Sequence, residues 1–181
     1  MCGRFTLRSP RRIKFDGERN SHLPSLAPRY NIAPSQEVLT ITESHRRREL
    51  SSFCLGTHGR SKQPYYFQLK DEAPFAFAGL WDRWQHEDVS IISCSIITIR
   101  PNELLATIHD RMPAILPPES QDAWLRNYTE PAELKRLLIP FPASAMKSYP
   151  VSQQVNHALA EDAQLVEPIE LNQVGTNLTL F

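Results

Sequence analysis

Proline decides more about this fold than any other residue type. The chain carries 15 prolines and only 6 glycines in 181 residues. Proline removes a backbone donor and is excluded from helix interiors and central strands. Its abundance favours short strands joined by turns over a helical bundle. The length suits a single domain, 1–181, with room for a sizeable core. Strand patterns lie at 37–42, 64–69, 75–80 and 90–99. The last is rich in isoleucine and reads as buried on both faces. Trp81 and Trp84 could stack on bases, but at this spacing beside Phe75 and Phe77 they are expected in the core.

Short helices are expected at 102–108, 118–128 and 131–139, the last with Thr129 as its N-cap and Leu134, Leu137 and Leu138 inward. Brief strands at 114–116 and 149–152 complete a mostly β, α+β chain. Residues 8–28 are basic and irregular, a loop or a short helix. Residues 43–59, which include His45-Arg46-Arg47-Arg48, read as a solvated face. From about 158 the polar tail is expected to be loosely held.

Lysine and arginine balance aspartate and glutamate, 20 against 20. Any nucleic-acid site must then be a local patch and not a basic surface. Three cysteines, Cys2, Cys54 and Cys94, are an odd number without metal-ligand spacing, which argues against disulfides or zinc and for a reducing compartment. No metal and no cofactor is expected. No apolar run of 18 residues and no signal-peptide core is present, so a soluble intracellular protein is expected, nuclear or nucleoid-associated, without membrane contact.

Chemistry concentrates first at Met1-Cys2-Gly3-Arg4-Phe5. Trimming of Met1 would leave Cys2 with a thiol and a free α-amine on one residue. Both are partly nucleophilic near neutral pH. Such an aminothiol can attack an aldehyde through nitrogen and close a five-membered ring through sulfur. Gly3 leaves room for a close approach, and Arg4 offers a fork for phosphate or carboxylate. His109, in His109-Asp110-Arg111, is either a general acid/base with its tautomer set by a neighbour or a surface loop histidine. Arg29-Tyr30-Asn31 is either a ligand-facing trio or a turn whose Asn bonds its own backbone.

Six motifs follow in order: Met1-Cys-Gly-Arg-Phe, Arg29-Tyr-Asn-Ile-Ala-Pro with Gln36, Lys62-Gln-Pro-Tyr-Tyr-Phe, Phe77-Ala-Gly-Leu-Trp, Ser95–Thr98 leading to Ile108-His-Asp-Arg-Met-Pro, and Tyr149-Pro-Val-Ser with Asn156. Together they resemble the SOS response-associated peptidase (SRAP) family of abasic-site processing proteins. The resemblance implies a strongly bent antiparallel sheet or barrel-like core with short helices. It also implies a monomer that binds single-stranded DNA carrying abasic sites. Its chemistry would be a thiazolidine crosslink through Cys2, with lyase and self-processing peptidase activity. By motif, Cys2 is the nucleophile, His109 the general acid/base, Arg4 and Arg111 phosphate contacts, and Asn31 a residue lining the DNA site.

The chain departs from the family between 38 and 60, where an Asn-Ala-Arg motif and a Gly-Phe-Tyr-Glu-Trp motif are missing. Gapless counting places Cys54 where the family glutamate would stand. The shortened middle implies impaired turnover. Two other readings remain: a catalytically degenerate, single-stranded DNA-binding relative or truncated product, and an N-terminal-nucleophile amidotransferase, whose further motifs are lacking.

Overall fold

The computed structural model describes residues 5–13, 18–19, 27–33, 36–44, 47–55, 63–126, 129–157 and 159–171, with backbone alone at 11, 18–19, 44 and 47–55. The strands, in chain order, are β1 (Phe5–Leu7), β2 (Glu18–Arg19), β3 (Arg29–Ile32), β4 (Glu37–Ser44), β5 (Arg47–Leu55), β6 (Tyr65–Leu69), β7 (Ala76–Phe77), β8 (Gly79–His86), β9 (Val89–Ile96), β10 (Thr98–Ile99), β11 (Met112–Pro113), β12 (Ile115–Leu116) and β13 (Met146–Pro150). Three short helices, α1 (Glu103–Ala106), α2 (Pro118–Leu125) and α3 (Pro131–Leu137), interrupt them. The fold is α+β and mostly strand, as the prolines imply. Among the described residues the strands close no barrel; one five-stranded sheet and four two-stranded ladders share the core.

These ladders meet at one junction. Ala78 separates β7 from β8, Ile97 separates β9 from β10, and Ala114 separates β11 from β12. Ala78 N–H donates to Ala114 O at 2.8 Å, Ala114 N–H to Ile97 O at 2.9 Å, and Ile97 N–H to Ala78 O at 2.9 Å. Three backbone hydrogen bonds thus close a ring between three segments. From that ring the segments part in pairs: β7 with β12, β8 with β9, and β10 with β11, all antiparallel. Ala78 and Ala114 are both 0% exposed. Trp124 of α2, Leu137 of α3 and Leu138 pack against them. Gly79 follows directly, and a β-carbon there would sit 3.3 Å from Ser95 O.

A second cluster joins Leu105, Met112, Ile115 and Met146 to Phe67, Leu69, Phe75 and Phe77. The β6–β13 ladder, running from Tyr65↔Pro150 to Leu69↔Met146, carries one side of it. Asn102 caps α1, accepting from Leu105 N at 2.9 Å and donating to Phe141 O at 2.7 Å. β1 pairs with β3 through Phe5↔Ile32 and Leu7↔Arg29. Phe5 reaches the core edge-on to Phe77, with ring centroids 5.2 Å apart.

Several expectations change. The 90–99 run is not buried on both faces: β8 and β9 form a hairpin that is largely exposed, with Trp84 at 55% and Trp81 at 47%. Trp84↔Ile91 and His86↔Val89 are cross-strand pairs, and Trp84 stacks on His86 at 5.7 Å. An apolar run reports hydrophobicity, not the presence of a covering layer. The stretch read as a solvated face contains β5, which pairs with β4 from Glu37↔Cys54 to Ser44↔Arg47. Thr129 does not cap α3; its hydroxyl donates to Ala123 O at 2.7 Å, and Glu130 holds the cap position.

The segment after 158 is docked where it is described. Leu165 and Val166 are buried, Tyr149 Oη donates to Val166 O at 3.0 Å, and Val151 bridges to Pro168. Two apolar side chains suffice to seat a segment whose composition is otherwise polar. Replacing Ala114 with valine forces two methyl groups into the filled junction. The expected loss is about 1–3 kcal/mol of unfolding free energy, read by urea denaturation; an unchanged midpoint would show that the junction has slack.

Candidate functional site

The turn His109-Asp110-Arg111 lies between α1 and β11. Its entry is fixed by the backbone, since His109 N–H donates to Leu105 O at 2.9 Å. Its exit is fixed by Met112, fully buried and paired with Ile99 across the β10–β11 ladder. Arg111 stands two residues before Pro113, the register partner of Thr98. Strand alternation puts Arg111 and Thr98 on the same face, within diagonal reach. The guanidinium uses that reach: Nε and Nη2 donate to Thr98 Oγ1 at 3.3 and 3.0 Å, and Nη2 also donates to Thr98 O. One edge of the fork is held, while Nη1 has no partner among the described residues. Such a clamped guanidinium is pre-oriented for an oxyanion.

His109 is partly exposed. Its Nδ1 lies 2.7 Å from Asp110 Oδ1 and 3.0 Å from the backbone nitrogen of Arg111. The structure therefore places His109 and Arg111 in one turn, each held by a specific neighbour. Cys2 and Arg4 lie outside the described residues. The described chain begins at Phe5, whose ring meets Phe77, the residue before the junction at Ala78. Thr98 and Pro113 flank the same junction on the His109 side.

Asn31 is held by the far end of the chain. It is 0% exposed. Its Nδ2 donates to His157 O and Ala160 O, both at 2.8 Å. The Glu161 carboxylate accepts from the backbone nitrogens of Tyr30 and Asn31. His157, Ala160 and Glu161 are thereby clasped to β3, the strand that pairs with β1. Arg29, the first of the expected trio, donates to Glu37 O at 2.8 Å and to Gln36 Oε1 at 3.0 Å.

The roles of Thr98 and Glu161 were not legible in the sequence. Thr98 is found only once the β10–β11 register is known, and Glu161 accepts from a strand 130 positions away. No group of three His, Cys, Asp or Glu among the described residues is placed to hold a metal ion. No helix among them is long and apolar enough to cross a membrane.

Comparison with known proteins adds to this geometry. The family model described as SOS response associated peptidase (SRAP) matches residues 53–158. The abasic site processing protein YoaM of Bacillus subtilis (strain 168) is 32% identical over 222 residues, covering 92% of this chain and 98% of that protein. That alignment is longer than the 181-residue chain, so the relative carries internal residues that this chain lacks. A crystal structure from Bordetella bronchiseptica superposes with a TM-score of 0.63 at 19% identity, covering 83% of this chain and all of that one; this likeness is one of fold alone. Another from Bacteroides thetaiotaomicron gives 0.53 at 28% identity over 76% of this chain, which spans 56% of that protein.

The Asn31 clasp predicts an ordered series. Asn31→Ala leaves two carbonyls without their donor and should lower stability by about 1–3 kcal/mol. Asn31→Asp sets a carboxylate against those carbonyls and should be the worse of the two, by thermal and urea unfolding. Equal stability for both variants and the unsubstituted protein would remove the clasp's role.

Proposed function

The chain belongs to the SOS response associated peptidase (SRAP) family, and on that premise we propose that it processes abasic sites in single-stranded DNA. Cys2, exposed as the N-terminus after loss of Met1, is the nucleophile in this reading. Its α-amine adds to the ring-opened sugar aldehyde, and loss of water gives an imine. The thiol then adds across the C=N bond, sulfur to carbon and hydrogen to nitrogen, to close a thiazolidine. In the competing lyase branch, the imine acts as electron sink. A base removes a proton from the adjacent sugar carbon, and the phosphate one carbon further on leaves.

The observation that carries this reading is the anchoring of Phe5 against Phe77 beside the junction that also sets the His109 turn. Cys2 precedes Phe5 by three residues, and covalent geometry keeps it within about 10 Å of that anchor. His109 is the proton carrier for water loss and for elimination. Arg111, gripped by Thr98 along one edge, presents Nη1 to a backbone phosphate, and Arg4 supplies a second cation. A few such local contacts hold a single strand without a basic surface. Asn31 serves from below, clasping the tail to the strand that pairs with β1.

Turnover is impaired in this reading. The Asn-Ala-Arg and Tyr-Glu-Trp groups are missing, and removing members of a cooperating site forfeits much of its rate. Aminothiol and aldehyde still condense unaided, so a slow crosslink outlives the loss. The protein acts as a monomer, in a compartment that holds DNA. A second reading is a single-stranded DNA-binding relative without catalysis, favoured by the missing Asn-Ala-Arg and Tyr-Glu-Trp motifs between 38 and 60.

One experiment separates the two. Purified protein is incubated with an oligonucleotide bearing one abasic site, and intact mass and denaturing gels are recorded. The crosslinking reading expects loss of Met1 and a heat-stable adduct that Cys2→Ala abolishes. Identical unshifted patterns for both proteins would leave only the binding reading.

A further inference from the structure

We propose that Asp110 is a positioning residue that, together with the backbone amide of Arg111, selects the tautomer of His109. Two neighbours compete for one atom. His109 Nδ1 lies 3.0 Å from Arg111 N, whose N–H points at it as a donor. The same nitrogen lies 2.7 Å from Asp110 Oδ1, which can only accept while ionised. A neutral imidazole has one N–H and one lone pair, so Nδ1 cannot satisfy both neighbours at once. With the lone pair on Nδ1, the ring accepts from Arg111 and carries its proton on Nε2. With the proton on Nδ1, the ring donates to Asp110 and turns a lone pair outward on Nε2.

Nε2 has no partner among the described residues, which makes it the nitrogen that faces a substrate. The choice made at Nδ1 therefore decides whether Nε2 gives a proton or takes one. The two partners differ in mobility. The Arg111 amide is fixed in the backbone, by the His109–Leu105 hydrogen bond before it and the Arg111–Thr98 contacts after it. The Asp110 side chain is 88% exposed and can rotate away without leaving a buried group unpaired. One partner is permanent and the other comes and goes, which is the arrangement a two-way proton carrier needs.

This inference rests on the abasic-site reading and deepens it. Crosslinking needs an acid for the departing water, and elimination needs a base for the sugar proton. A chain without the family's glutamate has to draw both from the groups it retains. Asp110 does not touch the reacting atoms; it acts through His109.

The test begins without DNA. Full-length protein labelled with 15N is studied by long-range proton–nitrogen correlation spectra of its imidazoles. The pH is set high enough that these signals no longer move, and His109→Gln assigns the signal. The unsubstituted protein should show a substantial Nδ1–H population that collapses to Nε2–H in Asp110→Ala. Asp110→Asn, whose carboxamide oxygen still accepts, should restore part of it. With abasic DNA, strand cleavage by elimination should fall about tenfold in Asp110→Ala and partly recover in Asp110→Asn, a fraction of what a general base supplies. Equal tautomer ratios in all three proteins would overturn the proposal. Failure of the unsubstituted protein to crosslink would instead remove the abasic-site reading and leave the tautomer result to stand on its own.

Discussion

Everything described here hangs on three backbone hydrogen bonds, those that link Ala78, Ala114 and Ile97 into a ring. Each of these residues sits where a strand leaves one partner for another, a place where backbone groups are commonly orphaned. A buried donor or acceptor without a partner costs roughly 1–3 kcal/mol. The ring satisfies six such groups among themselves, three donors and three acceptors. It also explains the side chains: three segments can converge this closely only if little stands between them, and two of the three carry a methyl group.

From the ring the site follows by register. β10 and β11 leave it as a two-residue ladder, which puts Thr98 diagonal to Arg111 and closes the His109 turn against α1. β7 leaves it toward β12 and offers Phe77 to Phe5, so β1 is seated near the same point. Hydrophobic packing and hydrogen bonding have separate tasks here. Met112, Ile115 and their neighbours supply burial, while the ring and the Thr98 contacts supply direction.

Much of this was legible in the sequence. Proline content excluded a bundle, the aromatic and β-branched runs marked β6, β7 and β9, and the ordered motifs identified the family. What was not legible required a third dimension. Isoleucine-rich β9 reads as doubly buried, yet no pattern in a single strand reports whether another layer covers it. β5 hides behind an arginine run because its identity comes from pairing with β4. The partners of the Asn31 amide, His157 O and Ala160 O, come from the far end of the chain, beyond the reach of any local pattern. The His109 turn was the most legible part, since its acid, its guanidinium and its imidazole are sequence neighbours.

The ring also bears on how much length variation the fold tolerates. All of its members lie between 78 and 114, and every hydrogen bond in it is made by another member. A gain or loss of residues before Gln63 leaves that accounting unchanged. The stretch between 38 and 60 contributes no member to the ring. The half that supplies β4 and β5 meets the other where β5 pairs with β9, at Cys54↔Ser93 and Leu55↔Cys94, a few residues before Ile97 of the ring. A change of length that spares this pairing leaves the ring's hydrogen bonds, and the turn set by them, in place.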